Sequence, residues 1–110
     1  MHNIRIKNKY VSISFMEVTS FDLKDIIEQG AFLADVRTPG EFMEGHVKGS
    51  VNIPLDSIPD QLDKFKNRKT IVVFCRSGGR SNMAKNILQQ HGFSNVINAG
   101  TWENVNRFVK

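Results

Sequence analysis

The run Ile71-Val72-Val73-Phe74 constrains the fold more than any other stretch of the chain. Four β-branched or aromatic residues in succession, with no polar residue between them, describe a strand covered on both faces. Such a strand needs neighbours at its edges and helices above and below. It ends at Cys75, the single cysteine, and the residues that follow read Arg-Ser-Gly-Gly-Arg-Ser. The two glycines allow the backbone to curl tightly. From Ser81 to His91 a helical pattern follows, with Met83, Ile87 and Leu88 predicted on its core side and Gly92 ending it. The segment reads as a strand, a tight polar loop and a helix N-terminus, with a thiol at the first loop position.

That arrangement favours a reactive sulfur. A curled glycine loop turns several N–H groups into one concavity that suits an anion. The N-terminus of the following helix adds partial positive charge at the same place, and Arg76 and Arg80 supply full charges. Each effect stabilises thiolate over thiol, so the Cys75 pKa is predicted to fall below the free value of about 8.5. The same cradle, Arg76, Ser77, Gly78, Gly79, Arg80 and Ser81, would hold an anionic substrate against the nucleophile. A lone cysteine at the end of an apolar strand is ordinarily an inert small hydrophobe. Two arginines and a Gly-Gly pair do nothing for an inert strand end, and they decide the reading in favour of chemistry.

The rest of the chain alternates short apolar strands with helices. Residues 16–18 read as a first strand, followed by a helix from the Thr19-Ser20 caps to Gly30 with Leu23, Ile26 and Ile27 inward. A second buried strand spans 31–36, and Pro39 opens a short helix with Phe42 inward. A third strand spans 50–53. A helix capped by Asp56 or Ser57 then runs through Phe65, with Ile58, Leu62 and Phe65 facing the core. After the fourth strand and the catalytic loop come a fifth strand at Val96-Ile97, a turn at Asn98-Ala99-Gly100, and a last helix. The pattern predicts an α/β domain around a roughly five-stranded, mostly parallel sheet with helices on both faces. Sheets of that kind bind ligands beyond the carboxyl ends of their strands, where Cys75 falls. Residues 1–15 fit the pattern poorly and read as a leader or an extra strand, so the domain is expected over 16–110.

Composition narrows the function classes. A single cysteine leaves no internal disulfide and no resolving thiol within the chain, and it points to a reducing, cytoplasmic compartment. No apolar stretch reaches membrane-spanning length, and the N-terminus lacks the apolar core of a signal peptide. The formal charge is +4, of which Arg5, Lys7 and Lys9 supply three charges before residue 16. With the remainder nearly neutral and aromatic residues not interleaved with basic ones, nucleic acid is not the expected partner. Scattered histidines and one cysteine make no metal site.

Cys75-Arg-Ser-Gly-Gly-Arg-Ser81 resembles the active-site loop of the rhodanese-like sulfurtransferases, in particular the small single-domain, thiosulfate sulfurtransferase kind. Leu33-Ala-Asp-Val-Arg-Thr-Pro-Gly-Glu-Phe42, Gly45-His-Val-Lys-Gly-Ser-Val-Asn-Ile-Pro-Leu55 and Gly92-Phe-Ser-Asn-Val-Ile-Asn-Ala-Gly100 resemble further family patterns in the same order. Only Ala99-Gly100 departs, standing where many members carry Gly-Gly. The resemblance implies a rhodanese-like fold, Cys75 as catalytic nucleophile, residues 76–81 as the substrate-binding loop, and Asp35 and Arg37 as supporting residues. It also implies a mechanism. The Cys75 thiolate takes sulfane sulfur from a small anionic donor such as thiosulfate, and the resulting persulfide passes it to cyanide, a thiol, or a protein acceptor. No cofactor or metal is implied, and a monomer is expected.

Other functions fit parts of the pattern. A phosphatase or arsenate reductase on the same scaffold would use a longer loop between cysteine and arginine than the four residues that separate Cys75 from Arg80. A non-enzymatic persulfide carrier would use the same Cys75 chemistry. His46 with Asp35 would make a Cys–His hydrolase, but Gly45-His46-Val47 resembles a structural family turn. Trp102 is expected to pack the last helix rather than flank the site.

Overall fold

The computed structural model describes residues 20–109 and two short stretches before them, Ile4–Arg5 (β1) and Tyr10–Val11 (β2), which pair antiparallel as a separate ribbon. The expected first strand at 16–18 and the expected boundary between leader and domain lie outside the described residues.

Strand β5 (Ile71–Cys75) is buried along its whole length, as an uninterrupted apolar run requires. Successive side chains point to opposite faces. Ile71, Val73 and Cys75 join a core with Ala84 and Leu88 of helix α3 (Gly79–Gln90), while Val72 and Phe74 join a second core with Leu23 of α1 (Ser20–Glu28) and Val105 of α4 (Trp102–Asn106). Helices therefore cover both faces, and parity alone sends the Cys75 side chain to the α3 side.

The sheet runs in the order β4-β3-β5-β6, with β3 (Phe32–Asp35), β4 (Val51–Asn52) and β6 (Val96–Thr101) all parallel to their neighbours. It has four strands among the described residues where the sequence predicts about five. The carboxyl ends align at one rim. Asp35 pairs with Phe74 across β3 and β5, and Cys75 pairs with Thr101 across β5 and β6.

Three local expectations differ from the structure. The helix predicted from Asp56 to Phe65 is two successive 3-10 segments, Leu55–Asp60 and Leu62–Phe65, because Pro59 lacks the N–H that a continuous α-helix would use there. Asn98-Ala99-Gly100 is not a turn but the middle of β6. A bulge lets Val73 pair with Asn98 and Phe74 with Gly100, and the Asn98 side chain accepts the Gly100 N–H at 2.9 Å. Met83, predicted inward, is 55 % exposed. Leu88 is buried and Ile87 packs against the core as expected, but Ser81 and Ala84 take the inward position given to Met83.

Phe65 is the keystone of the α3-side core. It is fully buried and meets Phe32 and Phe93 edge-on, with ring centroids 5.7 and 6.1 Å away. Phe65→Ala is expected to cost about 3–5 kcal/mol of stability, read as a lowered urea midpoint with an unchanged slope.

Candidate active site

Cys75 ends β5 with no exposed surface. The chain then turns through Arg76 and Ser77, both exposed, to Gly78, which sits at φ +102° as the residue capping α3. That left-handed conformation strains any residue with a Cβ, although the space beside Gly78, facing Gly100, would tolerate one. The turn aims the Gly78 N–H at Cys75 Sγ, 3.0 Å away, and the Ser81 N–H approaches the same sulfur at 3.4 Å. Ser81 Oγ lies 3.5 Å from the sulfur, within reach of two carbonyl acceptors, Gly78 at 3.1 Å and Gly100 at 3.4 Å. In the thiol form the S–H donates to Ser81 Oγ, and the Ser81 hydroxyl donates to a carbonyl. In the thiolate form that hydroxyl is free to rotate and donate to sulfur.

Opposed effects act on the thiol. Burial disfavours the charged form and pushes the pKa up. Hydrogen bonds from the Ser81 hydroxyl and from the N–H groups of Ser81, Gly78 and Ser77 outweigh it, and the net shift is downward. A buried sulfur ringed by donors is held towards its thiolate form.

The residues behind this loop form a frame. Arg37 Nε and Nη2 meet both carboxylate oxygens of Asp35 at 2.7–3.0 Å, the Arg37 N–H donates to the same carboxylate, and Nη2 reaches the Gly45 carbonyl at 2.8 Å. The pair is buried, with side chains 3 % and 0 % exposed, so removing either partner would strand a charge at a cost of about 3–5 kcal/mol. The Asn52 side chain donates to the carbonyls of Asp35 and Arg37 and ties β4 to the same rim. The Trp102 ring lies under the Arg37 guanidinium, 4.7 Å from Cζ to centroid, and also packs into the core with Val105.

Helix α2 (Pro39–Glu44) brings a second carboxylate to the loop. Thr38 and Glu41 form a capping box: the Glu41 N–H donates to Thr38 Oγ1, and Glu41 Oε1 accepts from the Thr38 N–H at 3.0 Å. The same carboxylate grips Arg80 with both oxygens, Nη1 to Oε1 at 2.6 Å and Nη2 to Oε2 at 3.0 Å. Arg80, foremost, and the Thr38 N–H hold the Glu41 carboxyl at about 2 against an ordinary 4.5.

This strand–loop–helix site, on a parallel sheet, can be compared with known proteins. Residues 20–106 match the rhodanese-like domain. The chain belongs to that family. Relatives include a sulfurtransferase of Allochromatium vinosum, 32 % identical over 70 % of this chain and 67 % of its own length. Another is the thiosulfate sulfurtransferase PspE of Escherichia coli, 38 % identical over 60 % of this chain and 65 % of its own length. The chain thus spans about two thirds of the length of these relatives. A crystal structure from Staphylococcus saprophyticus, 33 % identical, superimposes over 86 % of this chain and 99 % of that one with a TM-score of 0.69.

Within this rhodanese-like domain, the structure gathers Cys75, Ser77, Gly78 and Ser81 around one sulfur. It sets Asp35 and Arg37 against each other, and it holds Arg80 on Glu41. Arg76 and Gly79 are exposed. A Cys–His arrangement oriented by Asp35 is not assembled, since His46 Nδ1 lies 2.8 Å from the Phe42 carbonyl and its ring stacks on Phe42 at 3.7 Å. Glu41 was not among the site residues expected from the sequence. Its bond to Arg80, 39 residues on, leaves no local signal. The Gly100 carbonyl beside Ser81 was likewise missed, because the bulge that delivers it reads as a turn.

Two outcomes follow from these shifts. The pH midpoint for alkylation of Cys75 by iodoacetamide is expected below that of a free cysteine thiol, and Ser81→Ala is expected to raise it. Glu41 has a depressed pKa, so its contribution to stability is present above its unfolded value and lost as the pH falls from about 4.5 towards about 2. The stability difference between wild type and Glu41→Gln, from urea titrations, is expected to shrink across that window.

Proposed function

We propose that the protein is a sulfurtransferase that moves sulfane sulfur from a small anionic donor such as thiosulfate, through a Cys75 persulfide, to cyanide or a thiol acceptor, including a protein thiol. The observation that carries this reading is the ring of donors on a buried sulfur: Gly78 and Ser81 N–H groups at 3.0 and 3.4 Å with the Ser81 hydroxyl beside them. A persulfide is an anion at neutral pH, and such a ring stabilises it without a side-chain base. The thiolate attacks the outer sulfur of thiosulfate, the sulfur–sulfur bond of the donor breaks, and sulfite leaves with the electron pair. Arg76 and the loop N–H groups of residues 77–81 bind the donor, with Arg80 alongside. Asp35 and Arg37 act as positioning residues. With no second thiol in the chain, the sulfur must leave to another molecule.

The setting that suits this chemistry is a reducing one, such as the cytoplasm, with a monomer acting on soluble partners. No helix among the described residues is long and apolar enough to cross a membrane.

Intact mass spectrometry after brief exposure of the reduced protein to thiosulfate is expected to show a gain of one sulfur atom. The gain should be absent in Cys75→Ser and discharged by cyanide. A wild-type protein that stays unloaded by thiosulfate and by thiol persulfides, with its thiol still open to alkylation, would overturn the reading.

A further inference from the structure

The rim of the cradle carries Arg37, Arg76 and Arg80, and two of these already face a carboxylate. Arg37 is locked to Asp35, buried, with both carboxylate oxygens engaged. Arg80 is held fork to fork by Glu41. Arg76 is exposed and, among the described residues, pairs with no carboxylate. Of the two arginines in the loop, Arg80 is answered by a carboxylate and Arg76, among the described residues, is not.

The Glu41–Arg80 bond is not a loose surface contact. Glu41 Oε1 also accepts from the Thr38 N–H and hydroxyl, at 3.0 and 3.2 Å, so the carboxylate is anchored from its own helix cap. Its side chain is 22 % exposed and that of Arg80 34 %. Swinging Arg80 onto a donor would break two charge-assisted bonds and leave Glu41 facing an incoming anion. Arg80 immediately precedes Ser81, whose N–H lies 3.4 Å from Cys75 Sγ, so the Glu41–Arg80 pair is joined to the loop that surrounds the sulfur. The charge left at this pair therefore belongs to the same loop that holds the sulfur.

We infer that Glu41 is the residue that sets donor selectivity: by answering Arg80 it biases the cradle towards singly charged donors, the persulfides of small thiols, over doubly charged thiosulfate. This rests on the Cys75 persulfide reading. The persulfide donor, RS–S⁻ at neutral pH, takes up a proton from solvent as it reacts; the Cys75 thiolate attacks its outer sulfur and a new sulfur–sulfur bond forms. The RS–S bond breaks with its electron pair on RS, and the persulfide proton passes to RS. The products are the Cys75 persulfide anion and the free thiol RSH. No oxidant or reductant is consumed.

The test is a comparison of two donors, thiosulfate and the persulfide of β-mercaptoethanol, an uncharged thiol, with cyanide as acceptor. Wild type is expected to show a lower KM for the persulfide. Glu41→Gln retains the capping-box acceptor but loses the charge, and the ratio of kcat/KM for thiosulfate to that for the persulfide is expected to rise by about fivefold, mainly through the thiosulfate KM. The rise should fade with added salt. An unchanged or lowered ratio in Glu41→Gln overturns the inference even if both activities fall together, because damage to the fold moves both donors alike. A wild-type KM for thiosulfate below that for the persulfide overturns it without any variant. Loading of Cys75 by either donor, seen by mass, keeps the persulfide reading standing in those cases. Failure of both donors to load wild-type Cys75 overturns the reading itself.

Discussion

A strand buried on both faces must alternate its side chains between two cores, and the position of the reactive sulfur depends on that alternation. Ile71 and Val73 commit their side of β5 to the core under α3, and Cys75, two residues on, follows them. The sulfur is thus delivered beneath the first turn of the helix whose free N–H groups can meet it. A slip of one residue would put the thiol under α1 and α4, away from every donor that now surrounds it. Burial of the sheet and activation of the thiol are two results of one geometric fact.

Around that point, polar groups are buried only where they are answered. Ser81 is fully buried in the opening turn of α3, and its hydroxyl is placed between the sulfur and the carbonyls of Gly78 and Gly100. Its inward position carries Ala84 and Leu88 to the core and leaves Met83 in solvent. Asp35 and Arg37 satisfy each other, and Asn52 and Gly45 close the remaining groups. A half-satisfied network at this depth would cost more than an apolar one. Completeness is what allows so much charge to stand beside the end of an apolar sheet.

Much of this was legible in the chain. The unbroken apolar run at 71–74, the glycine pair and the helical pattern beyond it specify a strand, a curled loop and a helix start, because those signals are local and act over a few residues. The errors share a cause. Pro59 and the bulge at Asn98 to Gly100 alter backbone geometry inside segments whose apolar patterns are otherwise ordinary. In α3, Ser81 takes an inward position although it is a polar residue that a periodicity argument assigns to the surface.

The sequence by itself determined the class of fold and the strand, loop and helix start that surround the lone cysteine, since strand burial, glycine conformations and a helix N-terminus follow from contiguous residues. Tertiary structure alone decided which arginine of the loop is answered by a carboxylate. Arg80 meets Glu41 across 39 residues of chain, and the distance at which charges cancel is a property of folded space rather than of spacing along the sequence.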